Sequence, residues 1–154
     1  LRKQSDTRRA LDKAMDYLSL RDHAAGELYQ KLCRKFDAHS AAYAVARAGE
    51  LGLLNDASFA RRRAAELLRK RKSRREILND LSANGIDRDT AAEVVEELFA
   101  ADESGTDPEL ETARALVQRQ YAAKLAAGRR DLVAAALARR GFDRSVIRQV
   151  LEEE

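Results

Sequence analysis

Apolar residues recur three and four positions apart along most of this chain, which is the spacing of the buried face of an α-helix. The pattern predicts one helix over residues 6–19, a second that ends near Phe36, and a strongly basic one over 56–70. No segment alternates β-branched and polar residues, so no strand is predicted. We therefore expect an all-α protein of nine helices joined by short turns.

A short pattern recurs three times and suggests internal repeats. An apolar residue followed by Asp stands at Phe36-Asp37, Ile86-Asp87 and Phe142-Asp143, with separations of 50 and 56 residues. A unit of about 45 residues is too small to bury a sufficient core alone, but units that stack on their neighbours can do so. We predict three tandem three-helix (helix-turn-helix-like) repeats in an elongated, curved body, at residues 1–54, 55–104 and 105–154. The alternative is a single irregular helical bundle with coincidental spacing.

Several helix ends can be placed from local chemistry. Asn55 and Asp56 are both good N-cap residues for the basic helix. Ser73 and Glu76 form a capping box, in which each side chain accepts from the other residue's backbone N–H. Gly85 suits the left-handed position after a helix. Asp107-Pro108 is an N-cap followed by proline at the first helical position, after a polar joint over residues 101–106.

The same periodicity predicts which side chains point inward. The helix that Asp37 caps should bury Ala42, Val45, Ala46 and Leu51. Cys33 should be a small buried hydrophobe, because it stands beside Leu32 on a helix.

One segment is far more basic than the rest of the chain. Residues 61–75 hold nine cations, opposed only by Glu66. A helix whose polar face carries charges of almost only one sign indicates a polyanionic partner. The alternative is a cationic face that is merely solvated. The predicted binding residues are Arg61, Arg62, Arg63, Arg69, Lys70, Arg71, Lys72, Arg74 and Arg75. We expect those from Arg69 onward to be the most exposed, because there one helix ends and the next begins.

Acidic residues are concentrated elsewhere. Ten acids and a single base stand between Asp87 and Glu111, so the net charge of +3 conceals two oppositely charged regions.

Residues typical of catalysis are scarce. Neither His23 nor His39 has a Cys, His or carboxylate at metal-ligand spacing, and no phosphate loop or nucleophile motif is present. Acids from distant helices could still assemble a two-metal nuclease, so an enzyme of unrecognised type remains an alternative. We expect no enzymatic activity, cofactor or metal.

The sequence also bears on where the protein acts. A single Cys excludes an internal disulfide, and the apolar runs are far shorter than the ~20 residues that a membrane span needs. We expect a monomeric cytoplasmic protein. Because the sequence starts with Leu rather than Met, we also expect N-terminal residues to be missing from it.

A nucleic-acid contact, if made, should be electrostatic rather than sequence-specific. The four tyrosines are scattered outside the basic segment, which gives no stacking platform for bases. Cations are spread over several helices instead of standing on one recognition helix. Those of the last predicted repeat are Arg114, Arg119, Lys124, Arg129, Arg130, Arg139, Arg140, Arg144 and Arg148.

The order of several short motifs resembles the bacterial RecX regulatory proteins. The first are Tyr17-Leu18-Ser19-Leu20-Arg21, Glu27-Leu28-Tyr29-Gln30-Lys31-Leu32 and Leu53-Leu54-Asn55-Asp56-Ala57-Ser58-Phe59-Ala60. Glu76-Ile77-Leu78-Asn79-Asp80-Leu81 and Asn84-Gly85-Ile86 resemble that family's second unit. The chain departs from the pattern at Ala24, where the family usually has a capping Ser, so Asp22 is expected to cap that helix.

The resemblance implies a function that composition does not. Such proteins bind the RecA recombinase filament on single-stranded DNA and usually restrain its ATPase, strand-exchange and coprotease activities, in DNA repair, homologous recombination and the SOS response. The basic segment would then contact DNA phosphates, and the acidic stretch would face basic protein surface. The alternative is a DNA- or RNA-binding helical protein that acts without RecA.

Overall fold

The computed structural model describes residues 2–100 and 105–153, with side chains from residue 6 onward. Within these ranges the chain forms helices and turns and no strand, which confirms the all-α prediction. Part of the predicted joint at 101–106 lies outside the described residues. The helices are α1 (Arg2–Leu20), α2 (Ala25–Cys33), α3 (Ala38–Glu50), α4 (Asp56–Arg69), α5 (Arg74–Ala83), α6 (Arg88–Leu98), α7 (Pro108–Leu116), α8 (Ala122–Ala126), α9 (Arg130–Arg140) and α10 (Arg144–Glu152).

A π-helical turn at Val117–Tyr121 joins α7 to α8 without a break. Counted as one continuous helix, this stretch brings the number of helices in the described ranges to the nine that the sequence predicts. The helix ends before Gly128, whose φ of 77° lies in the left-handed region that favours glycine.

The chain divides into two compact units. Unit 1 comprises Leu1–Arg62 and Leu81–Ala91, and unit 2 comprises Arg63–Asp80 and Ala92–Glu154. Both units therefore take residues from the predicted second repeat. The repeat boundaries and the elongated stacking remain predictions.

The core of unit 1 is built largely from alanine. Ala10 and Ala14 of α1 and Ala44 and Ala48 of α3 are fully buried, together with Leu28 of α2 and its neighbours. Small side chains let helix backbones approach closely, so α1 and α3 can pack along much of their length.

The predicted inward face of α3 is wrong. Ala42, Ala46 and Leu51 are exposed and Val45 is half-buried, whereas the buried positions are Ser40, Ala41, Ala44 and Ala48. The face that packs on α1 is rotated by about one residue from the predicted one, and it consists only of small side chains. Tyr43 is correspondingly left 47% exposed.

Cys33 is also exposed, contrary to the prediction. It ends α2 one position after the buried Leu32, and 100° per residue turns it away from the core.

The start of α2 is capped from another helix. Ala24 stands at the N-cap without a side-chain bond, and the Asp56 carboxylate of α4 accepts from the Ala25 backbone N–H at 3.1 Å. The expectation that Asp22 caps α2 is therefore wrong. Asn55 alone caps α4, accepting from Ser58 N–H at 2.9 Å, which leaves Asp56 available for α2.

Unit 2 has its own apolar core. It contains Leu116, Val117 and Tyr121 from the π-interrupted helix, Val133 and Leu137 from α9, and residues of α10. The predicted caps are present: Asp107 accepts from Glu109 N–H at 2.9 Å, and the hydroxyl of Ser73 accepts from Glu76 N–H at 3.1 Å.

None of the helices in the described ranges combines the length and the apolar character that crossing a membrane requires.

Candidate nucleic-acid interface

The apolar stripe of α4 fixes which way its cations point. Phe59, Ala60, Ala64 and Leu67 are at most 6% exposed, and Leu68 is half-buried, as their spacing predicts. The cations between and after these residues occupy the remaining circumference of the helix, so they do not lie on one side.

The first cations of the basic segment make structural contacts. Nε and Nη2 of Arg63 donate to the two oxygens of the Asp80 carboxylate, each at 2.9 Å, and this pairing raises the pKa of the Arg63 guanidinium. Arg62 donates to the Asp22 carbonyl oxygen at 3.1 Å and lies over the Phe59 ring. These residues connect α4 to neighbouring parts of the chain, so Arg63 at least is poorly suited to hold a ligand.

Two lysines are paired with acids of the same region. Lys70 donates to Glu66 at 3.1 Å, and this bond lowers the pKa of the Glu66 carboxyl. Lys72 lies 3.8 Å from Glu76. Ion pairs that water reaches in this way contribute little to stability, so either lysine can exchange its acid for a stronger anion.

Four cations of the basic segment are uncommitted. The side chains of Arg69, Arg71, Arg74 and Arg75 make no hydrogen bond or ion pair with any other described residue. Arg69 and Arg75 are exposed, as are Arg61 and Arg62, whereas Arg71 and Lys72 are half-buried. The expectation that the cations from Arg69 onward are the most exposed is therefore wrong in part.

The half-buried position of Arg71 follows from the way α4 ends. Arg71 has a φ of 61°, in the left-handed region, and its N–H donates to the Leu68 carbonyl at 2.9 Å. The N–H of Lys72 donates to the Leu67 carbonyl at 3.1 Å. These two bonds form a Schellman motif, which normally has glycine at the position of Arg71.

The last two cations begin α5 in unit 2. Arg74 and Arg75 are exposed and follow Ser73, which is completely buried. They line a cavity whose other charged residues are Glu109, Asp143 and Arg144.

The sequence gives no reason to connect these residues. In it, Arg144 belongs to the cations scattered over the last predicted repeat, and Glu109 belongs to the acidic stretch. Their only shared signal is that each stands within two positions of an Asp N-cap.

The described residues contain no group of three His, Cys, Asp or Glu side chains that could hold a metal ion. His23 is buried, with Nδ1 2.9 Å from the Arg21 carbonyl oxygen and Nε2 2.9 Å from Lys31 Nζ. Since an ammonium can only donate, Nε2 accepts and Nδ1 carries the proton. Both nitrogens are thus occupied by structural contacts.

Comparison with known proteins gives consistent results. Two family models match: "RecX, first three-helix domain" over residues 10–47 and "RecX, second three-helix domain" over residues 55–95. A relative described as regulatory protein RecX, from Prosthecochloris aestuarii (strain DSM 271 / SK 413), is 32% identical over 151 residues, covering 97% of this chain and 95% of the relative.

Two solved structures share the fold. The crystal structure of RecX from Lactobacillus salivarius aligns with a TM-score of 0.73 at 19% identity and covers 97% of both chains. A second crystal structure of a regulatory protein RecX aligns with a TM-score of 0.79 at 17% identity, covering 99% of this chain and 74% of the other.

Proposed function

Because the chain belongs to the RecX family, we propose that it binds the RecA recombinase filament on single-stranded DNA and restrains it. In this proposal the protein slows filament growth and lowers the ATPase, strand-exchange and coprotease activities of RecA. It acts as a cytoplasmic monomer, without a cofactor and without catalysing a reaction itself.

The observation that best supports a DNA contact is the group of uncommitted cations near the end of α4. Arg69 and Arg71 have no acidic partner among the described residues, and each can neutralise a phosphate without first breaking an ion pair. Neutralised phosphates release counterions, which favours binding to any sequence.

The acidic helix α6 suits a different contact. Asp89, Glu93, Glu96 and Glu97 are exposed along it, and such a surface repels DNA and attracts basic protein. We assign α6 to the protein side of the filament.

ATP hydrolysis by RecA on single-stranded DNA tests the proposal. Addition of the protein should lower the steady-state rate in a concentration-dependent way. An unchanged rate over a range in which the protein exceeds RecA would contradict it. If the protein nevertheless bound bare DNA, the alternative of a RecA-independent nucleic-acid-binding protein would be favoured.

A matched pair of variants tests the basic segment. Arg69→Ser combined with Arg71→Gly removes two uncommitted cations and keeps the left-handed turn, so it should weaken both inhibition and binding to single-stranded DNA. Arg139→Ser combined with Arg148→Ser removes two other exposed cations, without described partners, as a control. Equal losses in the two variants would mean that the cations act only as a diffuse field.

A further inference from the structure

The first residues of three helices line one cavity of unit 2. Arg74 begins α5, Glu109 is the second residue of α7 and Arg144 begins α10. The cavity has a volume of about 480 Å³, and Leu78 and Phe142 form its apolar part. The N-terminal end of each helix carries partial positive charge from its unpaired N–H groups, so three such ends facing one space favour an anion.

The N-terminal end of α10 has backbone N–H groups that no side chain caps. Asp143 stands at its N-cap with an extended backbone, but its side chain accepts no hydrogen bond from the first turn. In contrast, Asp107 caps α7 and Ser73 caps α5. The first N–H groups of α10 therefore lack the side-chain acceptor that the sequence supplies at the other two helices.

Guanidinium groups outnumber carboxyl groups in the cavity. Arg74, Arg75 and Arg144 face it, against Glu109 and Asp143. A guanidinium presents a planar fork of donors that matches two oxygens of a phosphate. The cavity thus combines charge, fixed donors and enough volume for a phosphate with part of its sugar.

Glu109 is the unusual member of this group. The residue is only 7% exposed, and no described residue donates a hydrogen bond to its carboxyl. Burial, then the neighbouring Asp143 and Asp107 carboxylates, raise its pKa to about 7, against a smaller opposing effect of Arg74. As the pH falls through this value the carboxyl becomes protonated, which removes a negative charge from the cavity and adds an O–H donor.

We propose that this cavity binds one backbone phosphate of single-stranded DNA, held by Arg74, Arg75 and Arg144 and by the uncapped start of α10. Protonated Glu109 donates to the same phosphate. The assignment rests on the proposed DNA contact and extends it, because Arg74 and Arg75 are the last cations of the basic segment. A carboxylate peptide would also meet the arginines, but continuity with that segment favours DNA.

Binding of an oligothymidylate to the full chain without RecA, at several salt concentrations, tests the arginines. Arg144→Ser should flatten the slope of log affinity against log salt concentration by about 0.7, the value for one phosphate on a single strand. Arg139→Ser removes an exposed cation from the end of α9, outside the cavity, and should leave the slope nearly unchanged. Equal slopes for the two variants would overturn the assignment.

The pH dependence tests Glu109. Wild-type binding should weaken by about fivefold between pH 6 and pH 8, a modest coupling between proton and phosphate. Glu109→Gln, which keeps a neutral side chain at both pH values, should bind tightly and with little pH dependence. If Glu109→Gln keeps the wild-type pH profile, the carboxyl does not contact the phosphate and the proposal fails. Matching circular dichroism spectra verify that the variants are folded.

Two further measurements distinguish DNA from an acidic protein as the ligand of the cavity, and the cavity proposal from the proposed regulation of RecA. Inorganic phosphate should compete with the oligothymidylate in wild type and less effectively in Arg144→Ser. Tighter binding of polyglutamate than of oligothymidylate, lost in Arg144→Ser, would assign the cavity to a protein partner and overturn the DNA assignment. If the wild-type protein inhibits RecA but Arg144→Ser binds oligothymidylate as wild type does, only the cavity proposal fails. If Arg144→Ser weakens oligothymidylate binding but the wild-type protein does not inhibit RecA, only the proposed regulation of RecA fails.

Discussion

The hydroxyl of Ser73 donates a 2.5 Å hydrogen bond to the backbone carbonyl oxygen of Arg140, a residue 67 positions further along the chain. The Ser73 hydroxyl oxygen also accepts from Glu76 N–H at 3.1 Å, so one buried side chain both caps α5 and binds the last residue of α9. Its function as a cap is local and follows from the sequence. Its function as a link within unit 2 comes from packing.

Ser73→Ala should therefore cost more than an ordinary cap. Loss of the cap costs about 1 kcal/mol and an unsatisfied carbonyl oxygen about another 1–2 kcal/mol, so we expect about 2–3 kcal/mol in a urea unfolding experiment. Asn55→Ala is the matched control, because Asn55 caps α4 through Ser58 alone and should cost about 1 kcal/mol. Equal costs would show that the Arg140 bond adds nothing to stability.

Gly26 marks a close backbone contact in unit 1. A Cβ atom there would lie 2.6 Å from the Asn84 carbonyl oxygen, so Gly26→Ala must shift the backbone and should cost about 1–3 kcal/mol. Gly49→Ala is the control, since its Cβ would meet only Leu54 Cδ1 at 3.7 Å in the helical α3. That change should stabilise the protein by up to about 1 kcal/mol, from helix propensity. Similar unfolding midpoints for the two variants would contradict the contact.

These examples indicate how far the sequence determines the fold. The caps at Asp37, Ser73 and Asp107 were predictable, because each bond joins residues no more than three positions apart. The helical cores of α5, α7 and α9 were likewise predictable from spacing.

Contacts between distant residues were not predictable. Nothing local marks the bond of Asp56 to Ala25 or the approach of Gly26 to Asn84, since both depend on how the helices pack. The cavity could not be predicted from the sequence for the same reason, because Arg74, Glu109 and Arg144 come from three separate helices. The basic segment was visible in the sequence, but not which of its cations are already paired.

The left-handed conformation of Arg71 predicts a stabilising substitution. A non-glycine residue at a φ of 61° costs about 1 kcal/mol, so Arg71→Gly should be about 1 kcal/mol more stable than Arg71→Ala. The two variants lose the same charge, so the comparison isolates the backbone. Equal denaturant midpoints would mean that the turn relaxes without cost. Both variants should bind single-stranded DNA more weakly than wild type, because the guanidinium is absent from each.

His23 should make unit 1 sensitive to acid. Burial lowers the pKa of its imidazole below 6.5, and the ammonium of Lys31 lowers it further. A depressed pKa means that the unfolded chain binds the proton more readily, so this contribution to stability is present above pH 6.5 and is lost as the pH falls through the folded-state value. Lys31→Met removes one cause and should raise the pKa of His23 in an NMR titration. A pKa that falls or stays constant would contradict the contact.

Glu109 predicts the opposite pH dependence in unit 2. Its pKa is raised from 4.5 to about 7, so the folded protein holds the proton more tightly than the unfolded chain does. The associated stability is complete below pH 4.5 and is lost as the pH rises through about 7. Glu109→Gln, which cannot ionise, should therefore unfold at a higher urea concentration than wild type at pH 8, by about 1–2 kcal/mol after allowance for solvent near the carboxyl, and should differ little at pH 5. Glu111→Gln, at an exposed position of the same helix, is the control and should show no such gain. A gain that is the same at both pH values would mean that the amide packs better for reasons unrelated to charge.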